Sequence, residues 1–532
     1  MMRWLRRRHR VICTVICLLV FTYVFVINAW MGDDPYITLR SVDNFVNGYG
    51  PVWNTDERVQ AYTHPLWMLL VSSIYAVTHE GYYSTLVLSF AASGAAIVIS
   101  FTTIATAWWK QALFTLLLIC SKAWVDYSSS GLENPLSFLL LAAFFGPFLR
   151  DGWRVTSKRF AYYSFVAALA FLNRADSALL YAPALIALAV GQLRTTRIAK
   201  TVGIFTVAMT PAWGWLIFAT IYYGFPFPNT AYSKLNAAGS GMPFIHPNGP
   251  LYFLNSLRWD PLTLLVIGSA LLLAGAISLR RIEKWNVGLL SLGGAVLYLL
   301  YTLRIGGDYM SGRFFSMPFF IAVLVSTMFA ERALVGVYFA GLALTAVPLG
   351  PSSPLLTQRA HEPLPRDPSS ILDESGHYRE AMGLLAVIRH APSPGRPNTP
   401  VCRRFRETRP TSMVWGAIGY FGFAVGPNVH GIDPIGLPDP LLARLPPRNA
   451  TDGWGRGHLF HDIPEGYIAS IETSQNLVRD PDLHEYYDKL RILTRGPIFT
   501  RSRFIEIYRM NTGHYNYLIE AYARRRREAG KP

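Results

Sequence analysis

Residues 11–30, VICTVICLLVFTYVFVINAW, run without a charged side chain into residues 31–65, MGDDPYITLRSVDNFVNGYGPVWNTDERVQAYTHP. Some 20 apolar residues at about 1.5 Å each match a hydrocarbon layer roughly 30 Å thick. The preceding MMRWLRRRHR resembles the basic start of a secretory signal. However, no small-residue cleavage site follows, so the run reads as a retained first transmembrane helix. The stretch after it is polar and rich in aromatic residues, with two adjacent acids where a membrane helix would end.

Composition extends that reading to the whole chain. Of 532 residues only 15% are charged, while 14% are aromatic, and mean hydropathy is +0.25; a soluble domain averages about 25% charged. The formal charge of +16 does not point to nucleic acid. Its Lys and Arg fall in short loops between apolar runs, as the positive-inside rule requires, and in a C-terminal third suited to anionic headgroups or an acidic polymer. Cys13, Cys17 and Cys120 lie in apolar runs and Cys402 outside them, which supports neither a disulfide framework nor a zinc site.

Apolar runs at 84–107, 111–127, 133–149, 159–172, 177–192, 200–222, 261–279, 286–303, 314–330 and 333–350, with the first helix, predict about eleven transmembrane helices. The run at 65–78 has ~14 residues, short of a span. If it lies along the outer surface, the basic loops 150–159, 194–200 and 280–284 fall inside with 3–10. The predicted architecture is a polytopic α-helical membrane protein with a transmembrane domain over 1–350 and an outer loop of interfacial helices at 31–83. The N-terminus is then cytoplasmic in a plasma membrane. A Pro/Ser-rich linker at 351–370 leads to an extracytoplasmic soluble domain at 371–532. That domain reads as mixed α/β, with a helix at 374–390 and strand-like runs at 412–423 and 498–508.

With this topology the unusual motifs gather on the outer side: DDPYITLR at 33, SSSGLENPL at 128, LNRADS at 172, YYGFPFPNTAYSKL at 222 and RIGGDYMSGRFF at 304. Ionisable groups at membrane depth are costly unless they line a wet cavity, so a shared functional cavity is the default expectation. Asp34 before Pro35 could simply cap a helix. Equally, two neighbouring carboxylates, Asp33 and Asp34, repel each other and raise a pKa, which suits a general base. Such a base would deprotonate an acceptor hydroxyl attacking a sugar's anomeric carbon; alternatively Asp33, with Glu133, could hold a divalent cation (Mg, Mn or Ca) against a leaving phosphate. Arg40, Arg58, His64, Lys234 and Arg313 are candidate phosphate ligands; taken singly, each reads equally as a solvated or headgroup-facing charge. Trp53 and Tyr223 could stack on sugar faces, though an interfacial aromatic belt explains them as well. Glu133, Asp176 and Asp308, the remaining acids at membrane depth, are candidates to bind the acceptor or sugar, although Asp176 and Asp308 have Arg174 and Arg304 nearby in sequence as ion-pair partners.

An N-terminal helix ending in an aspartate pair, an outer loop, many spans and an outer C-terminal domain resemble the GT-C glycosyltransferases, which use polyprenyl-phosphate sugars. More narrowly, DDPYITLRSVDNFVNGYGPVWNTDERVQAYTHPLW, SGLENPL, FPNTAYSKL, GGDYMSGRFF and IDPIGLPDPLLARLP resemble the arabinofuranosyltransferase B family of mycobacteria and corynebacteria. The resemblance implies an inverting transfer of D-arabinofuranose from decaprenylphosphoryl-arabinose to cell-wall arabinan or another surface glycan. It maps the family's essential acids onto Asp33 and Asp34. It also brings forward 433–444 together with Arg456, His458 and His461 as acceptor contacts. Because the chain is short beside the mycobacterial members, a pilin or protein acceptor is an alternative, as is another GT-C sugar such as mannose. A polyprenyl-lipid flippase is the rival from a different class. It would be expected to show internal repeats, and none is visible.

Overall fold

The computed structural model describes residues 2–152, 155–236, 246–278, 286–346, 354–355, 371–390, 400–408, 411–448 and 459–529. Arg456, His458, the basic loop at 280–284 and all but two residues of the expected linker lie outside them. The chain forms two compact units that are not consecutive in sequence. Unit 1 comprises Met1–Gly32, Thr85–Ala212 and Phe244–Pro392; unit 2 comprises Asp33–Ser84, Trp213–Pro243 and Ser393–Pro532.

Among the described residues, the apolar runs expected to span are mainly helical, but the helices differ in length. Arg8–Asn28, Tyr82–Thr103, Ala175–Leu193 and Val287–Ile305 are long and apolar enough to cross a membrane. The bent pairs Ile198–Ala208 with Thr210–Tyr223 and Asn248–Trp259 with Pro261–Ile277 bring the number up to six among the described residues, against the eleven expected. The helices Trp108–Cys120 and Ala333–Ala346 have 13 and 14 residues, about 20 Å of length. Unit 1 is centred on Ser316–Phe329, SMPFFIAVLVSTMF, buried at nearly every position. A helix apolar on all sides has no solvent face to offer. Accordingly, helices Trp108–Cys120, Asn134–Asp151, Pro261–Ser278 and Asn286–Ile305 surround it.

Residues 371–390, expected to open the C-terminal domain, fold with unit 1. Trp30 pairs with Gly383, and its indole N–H donates to the Asp126 carbonyl (3.0 Å). Lys122 bridges Asp126 and Asp373.

Unit 2 is mainly helical, which corrects the mixed α/β expectation. Its described residues hold two strands of three residues, Ser412–Val414 and His430–Ile432, paired in parallel. The rest of the run at 412–423 turns into the helix Ile418–Val425. The run at 498–508 is also helical, as Arg501–Asn511, capped by the Thr500 hydroxyl accepting from Arg503 N–H. Its buried positions, Arg503, Glu506, Ile507 and Met510, follow the helical period, and two of them are charged, which hid the stripe.

Helix Asp34–Val46 packs on Pro65–Thr78 and Ile418–Val425. Arg40, 2% exposed, holds this layer together. Its Nε donates to Trp53 O, its Nη1 to Gly422 O and its Nη2 to Val429 O, each at 2.8 Å, and its guanidinium lies 3.9 Å from the Trp53 ring centroid. Asn54 adds a second tie: its Oδ1 accepts from Gly431 N–H (2.9 Å) and its Nδ2 donates to Gly431 O (3.1 Å). An unpaired buried carbonyl costs about 1–3 kcal/mol. Arg40→Met removes the Arg40 donor from three carbonyls, of which the Trp53 carbonyl keeps Asn44 Nδ2 (3.0 Å). With two carbonyls losing their guanidinium partner, it is expected to destabilise unit 2 by about 2 kcal/mol or more, seen as a lower thermal unfolding midpoint; an unchanged midpoint would contradict this account.

Candidate active site

Asp33 occupies the N-cap position of Asp34–Val46 but does not cap it. Its carboxylate instead accepts from Gly419 N–H (Oδ2, 3.0 Å) and Tyr420 N–H (Oδ1, 2.7 Å). These amides belong to the first turn of Ile418–Val425, where free N–H groups and the helix dipole favour an anion. The approach needs glycine: a Cβ on residue 419 would stand 1.9 Å from the Asp33 carbonyl oxygen. Burial pushes the Asp33 carboxyl up to about 6, with the Asp34 charge adding to the rise and the two N–H bonds opposing it. Asp34, the first residue of its helix and partly buried, makes no side-chain hydrogen bond among the described residues. The adjacent acids are therefore chemically distinct, one committed and one available.

Most of the expected phosphate ligands in unit 2 are committed elsewhere. Arg40 leaves the set because its three nitrogens serve backbone carbonyls. Arg58 donates from Nε to Tyr222 O (3.1 Å) and from Nη2 to Leu493 O (3.3 Å) and Gly496 O. His64, 5% exposed, meets the Thr38 hydroxyl at 2.8 Å. Lys234 is exposed and makes no ion pair among the described residues. Trp53 is wholly buried beneath Arg40, so it offers no face to a sugar. Tyr223 is buried, its hydroxyl donating to Pro51 O (2.7 Å) and meeting the Tyr62 hydroxyl at 2.8 Å.

The expected acceptor segment 433–444 is likewise interior. Asp433 and Asp439 are 0% and 1% exposed. Asp433 accepts from Ile435 and Leu437 N–H, and Asp439 from Leu441 and Leu442 N–H. Asn229 Nδ2 donates to the carbonyls of Gly436, Leu437 and Asp439, and Arg444 Nη1 donates to Asn229 Oδ1 (2.9 Å). His461 is 3% exposed. This segment is a self-capped knot in the core of unit 2.

Unit 1 gathers its own charges. Glu133 Oε1 lies 3.1 Å from both Arg174 Nη1 and Arg313 Nη2. Arg174 also grips Asp176 with Nε and Nη2 (2.7 and 2.9 Å), and Arg313 reaches Asp308 at 3.3 Å. Asp176 further accepts from the Tyr298 hydroxyl (3.2 Å). The donor set does not suit a divalent cation. Glu133 already faces two guanidinium groups, both Asp33 oxygens serve amides, and no cluster of three His, Cys, Asp or Glu occurs among the described residues.

No protein-family model matches the chain. A terminal β-(1→2)-arabinofuranosyltransferase of Corynebacterium glutamicum is 27% identical over 334 residues, 56% of this chain and 47% of that protein. One of Mycobacterium tuberculosis is 29% identical over 329 residues, covering 55% and 51%. The chain is similar to the terminal β-(1→2)-arabinofuranosyltransferases. It spans about half the length of these curated relatives, both glycosyltransferases, the class to which the motifs pointed. Solved structures with a similar trace include ArnT of Cupriavidus metallidurans bound to undecaprenyl phosphate, with a TM-score of 0.49 and 12% identity over 79% of this chain and 85% of that one. Another is the Archaeoglobus fulgidus oligosaccharyltransferase, with a TM-score of 0.46 and 12% identity over 81% and 64%.

The raised Asp33 pKa sets a sign for stability. Between the ordinary carboxylate range near pH 4 and about pH 6, the folded chain holds a proton that the unfolded chain has released. Asp33 therefore lowers stability as pH rises through that window. Asp33→Asn keeps one acceptor for the cap and removes the titration. Its unfolding midpoint is expected to vary less between pH 4 and 6 than that of the unaltered protein; parallel curves would contradict the assignment.

Proposed function

We propose that the chain transfers D-arabinofuranose from decaprenylphosphoryl-arabinose to a cell-wall arabinan or another surface glycan at the outer face of the plasma membrane. The similarity to terminal β-(1→2)-arabinofuranosyltransferases carries this reading. In it, the fold is of GT-C type, with the N-terminus cytoplasmic and the C-terminal region outside.

The acid pair supports a division of labour. Asp33 anchors the opening loop, and Asp34, with an uncommitted carboxylate, serves as the general base. Asp34 takes the proton of the acceptor hydroxyl as that oxygen bonds to C1. The bond between C1 and the phosphate oxygen breaks, and the polyprenyl phosphate leaves with its electron pair. A single displacement of this kind inverts C1. Lys234 is the candidate partner for the departing phosphate, since a compact ammonium on a flexible stem neutralises it without a fixed geometry. Glu133, Asp176, Asp308 and Arg313 form a paired network whose role in this reading is to hold unit 1 in shape.

Removing a general base typically costs about 10²–10⁴-fold in rate. Asp34→Asn in nanodiscs, supplied with labelled polyprenyl-phosphoryl-arabinose, is expected to lose transfer on that scale with its unfolding midpoint retained; near-normal turnover would remove Asp34 from the role. The configuration at C1 of the product, compared with the donor by NMR, gives a separate test. Retention would replace the single displacement by two, a carboxylate first displacing the polyprenyl phosphate at C1 and the acceptor hydroxyl then displacing the carboxylate. A panel of lipid-linked sugars tests the donor, and label that moves only with intact lipid would favour a flippase.

A further inference from the structure

We propose that the helix Arg501–Asn511, with Phe499 just ahead of it, is a membrane-docking surface of unit 2 that lies in the headgroup layer of a bilayer and favours anionic phospholipid. The inference rests on the apolar helices that place the chain in a membrane, and not on arabinose transfer.

Residues 496–512, GPIFTRSRFIEIYRMNT, hold three arginines and one acid. The buried face of the helix takes Arg503, Glu506, Ile507 and Met510. Glu506 is held there by the Tyr515 hydroxyl and by Arg509 Nη1 (3.2 Å). What faces away from the protein is therefore aromatic, apolar and cationic. Phe499 is 81% exposed, Tyr508 71%, Phe504 42% and Ile505 40%. Arg501 is exposed as well and makes no ion pair among the described residues. A contiguous patch of this kind marks an interaction surface rather than a solvated face.

The place of the helix in unit 2 identifies the occupant. Helix Thr210–Tyr223, TPAWGWLIFATIYY, carries no charge; it is half of a bent pair apolar enough to span, and it leaves Trp213, Ile217 and Phe218 exposed. The last carbonyls of such a helix have no partner within it. Arg503 supplies them, Nη1 donating to Ile221 O (2.6 Å) and Nη2 to Tyr222 O (2.9 Å). Asn511 Nδ2 donates to Gly224 O just beyond (2.8 Å). A guanidinium at a helix C-terminus is also favoured by the dipole. Arg501–Asn511 is thus fastened across the end of an apolar helix, where hydrocarbon gives way to headgroups.

Charge and residue type agree with that level. Tyr and other amphipathic rings collect at the headgroup boundary, and a helix with aromatic residues beside arginines seats its rings below the phosphates and its cations among them. A second copy docked symmetrically on the same face would set Arg501 and Arg509 against like charges.

The test uses the full chain in nanodiscs containing a trace of phosphatidylglycerol or phosphatidylcholine with a diazirine beside the headgroup. Adducts formed on irradiation are located by mass spectrometry, and those at residues 213–223 report that the probe is active. Adducts are expected at residues 498–509. One arginine near an anionic surface corresponds to about 5-fold in binding. The yield at 498–509 is therefore expected to be roughly 2–5-fold higher with the phosphatidylglycerol probe, and Arg501→Gln to bring the two probes towards equality. Phe499→Ser with Tyr508→Ser is expected to lower that yield while adducts at 213–223 and the unfolding midpoint are kept. If the double variant does not fold, the adduct map of the unaltered protein decides alone. Adducts at 213–223 with none at 498–509 overturn the proposal. Equal yields from the two probes in the unaltered protein overturn its preference for anionic lipid. A disulfide that joins two copies through Tyr508→Cys and removes the lipid adducts gives the face to a second copy instead.

Discussion

The contact on which unit 2 depends is a carboxylate at a foreign helix terminus. Asp33 satisfies two amides of Ile418–Val425 at once, and the tight approach that allows this requires glycine at 419. Arg40 and Asn54 then fasten the residues that follow, at Gly422, Val429 and Gly431. Three hooks along one loop thus engage one short stretch in the same order. With Asp33 held in this way, its neighbour sits at a fixed place on the first turn of the next helix. Two acids of identical chemistry acquire different duties from their surroundings alone.

Buried charge is met by other ions in one network and by backbone groups in another. Unit 1 pairs ion with ion: Glu133, Asp176 and Asp308 share Arg174 and Arg313. Separating any partner would strand a charge in a low-dielectric setting, which is far more costly than the pair is stabilising. In unit 2, beside ion pairs such as Glu57 with Arg495 (3.4 Å), several buried ionisable side chains bind backbone: Arg40 and Arg444 donate to carbonyls, and Asp433 and Asp439 accept from amides. Burial raises Asp433 to about 8 and Asp439 to about 7. A loop-rich interior with little sheet needs such side chains, because its polar backbone has few other partners.

Helices were legible in the sequence wherever an apolar run was long, since burial on all sides leaves an unambiguous signature; the core helix Ser316–Phe329 is the clearest case. The helix Arg501–Asn511 was not, because Arg503 and Glu506 on its buried face broke the pattern. The cationic candidates failed for a related reason. A guanidinium in a polar, aromatic loop reads the same whether it faces a phosphate or three carbonyls, and Arg40 and Arg58 do the latter. Glu133 had no cation nearby in sequence, yet it meets Arg174 and Arg313, 41 and 180 positions away. Of the site, the adjacent acids were visible as a motif, but their inequality was not, because it arises at residues 419 and 420.

The interleaving of the units bears on the order in which the chain can fold. Residues that close on Asp33 lie 386 and 387 positions later, and those on Arg40 lie 382 and 389 later. During synthesis the opening loop emerges long before its partners exist. Its buried arginine and aspartate must wait in water, or against lipid headgroups, until the C-terminal third arrives. Closing so long a loop is a late step with a large entropic cost. Only once the chain is nearly complete can Asp33 be held in place and the acid pair become unequal.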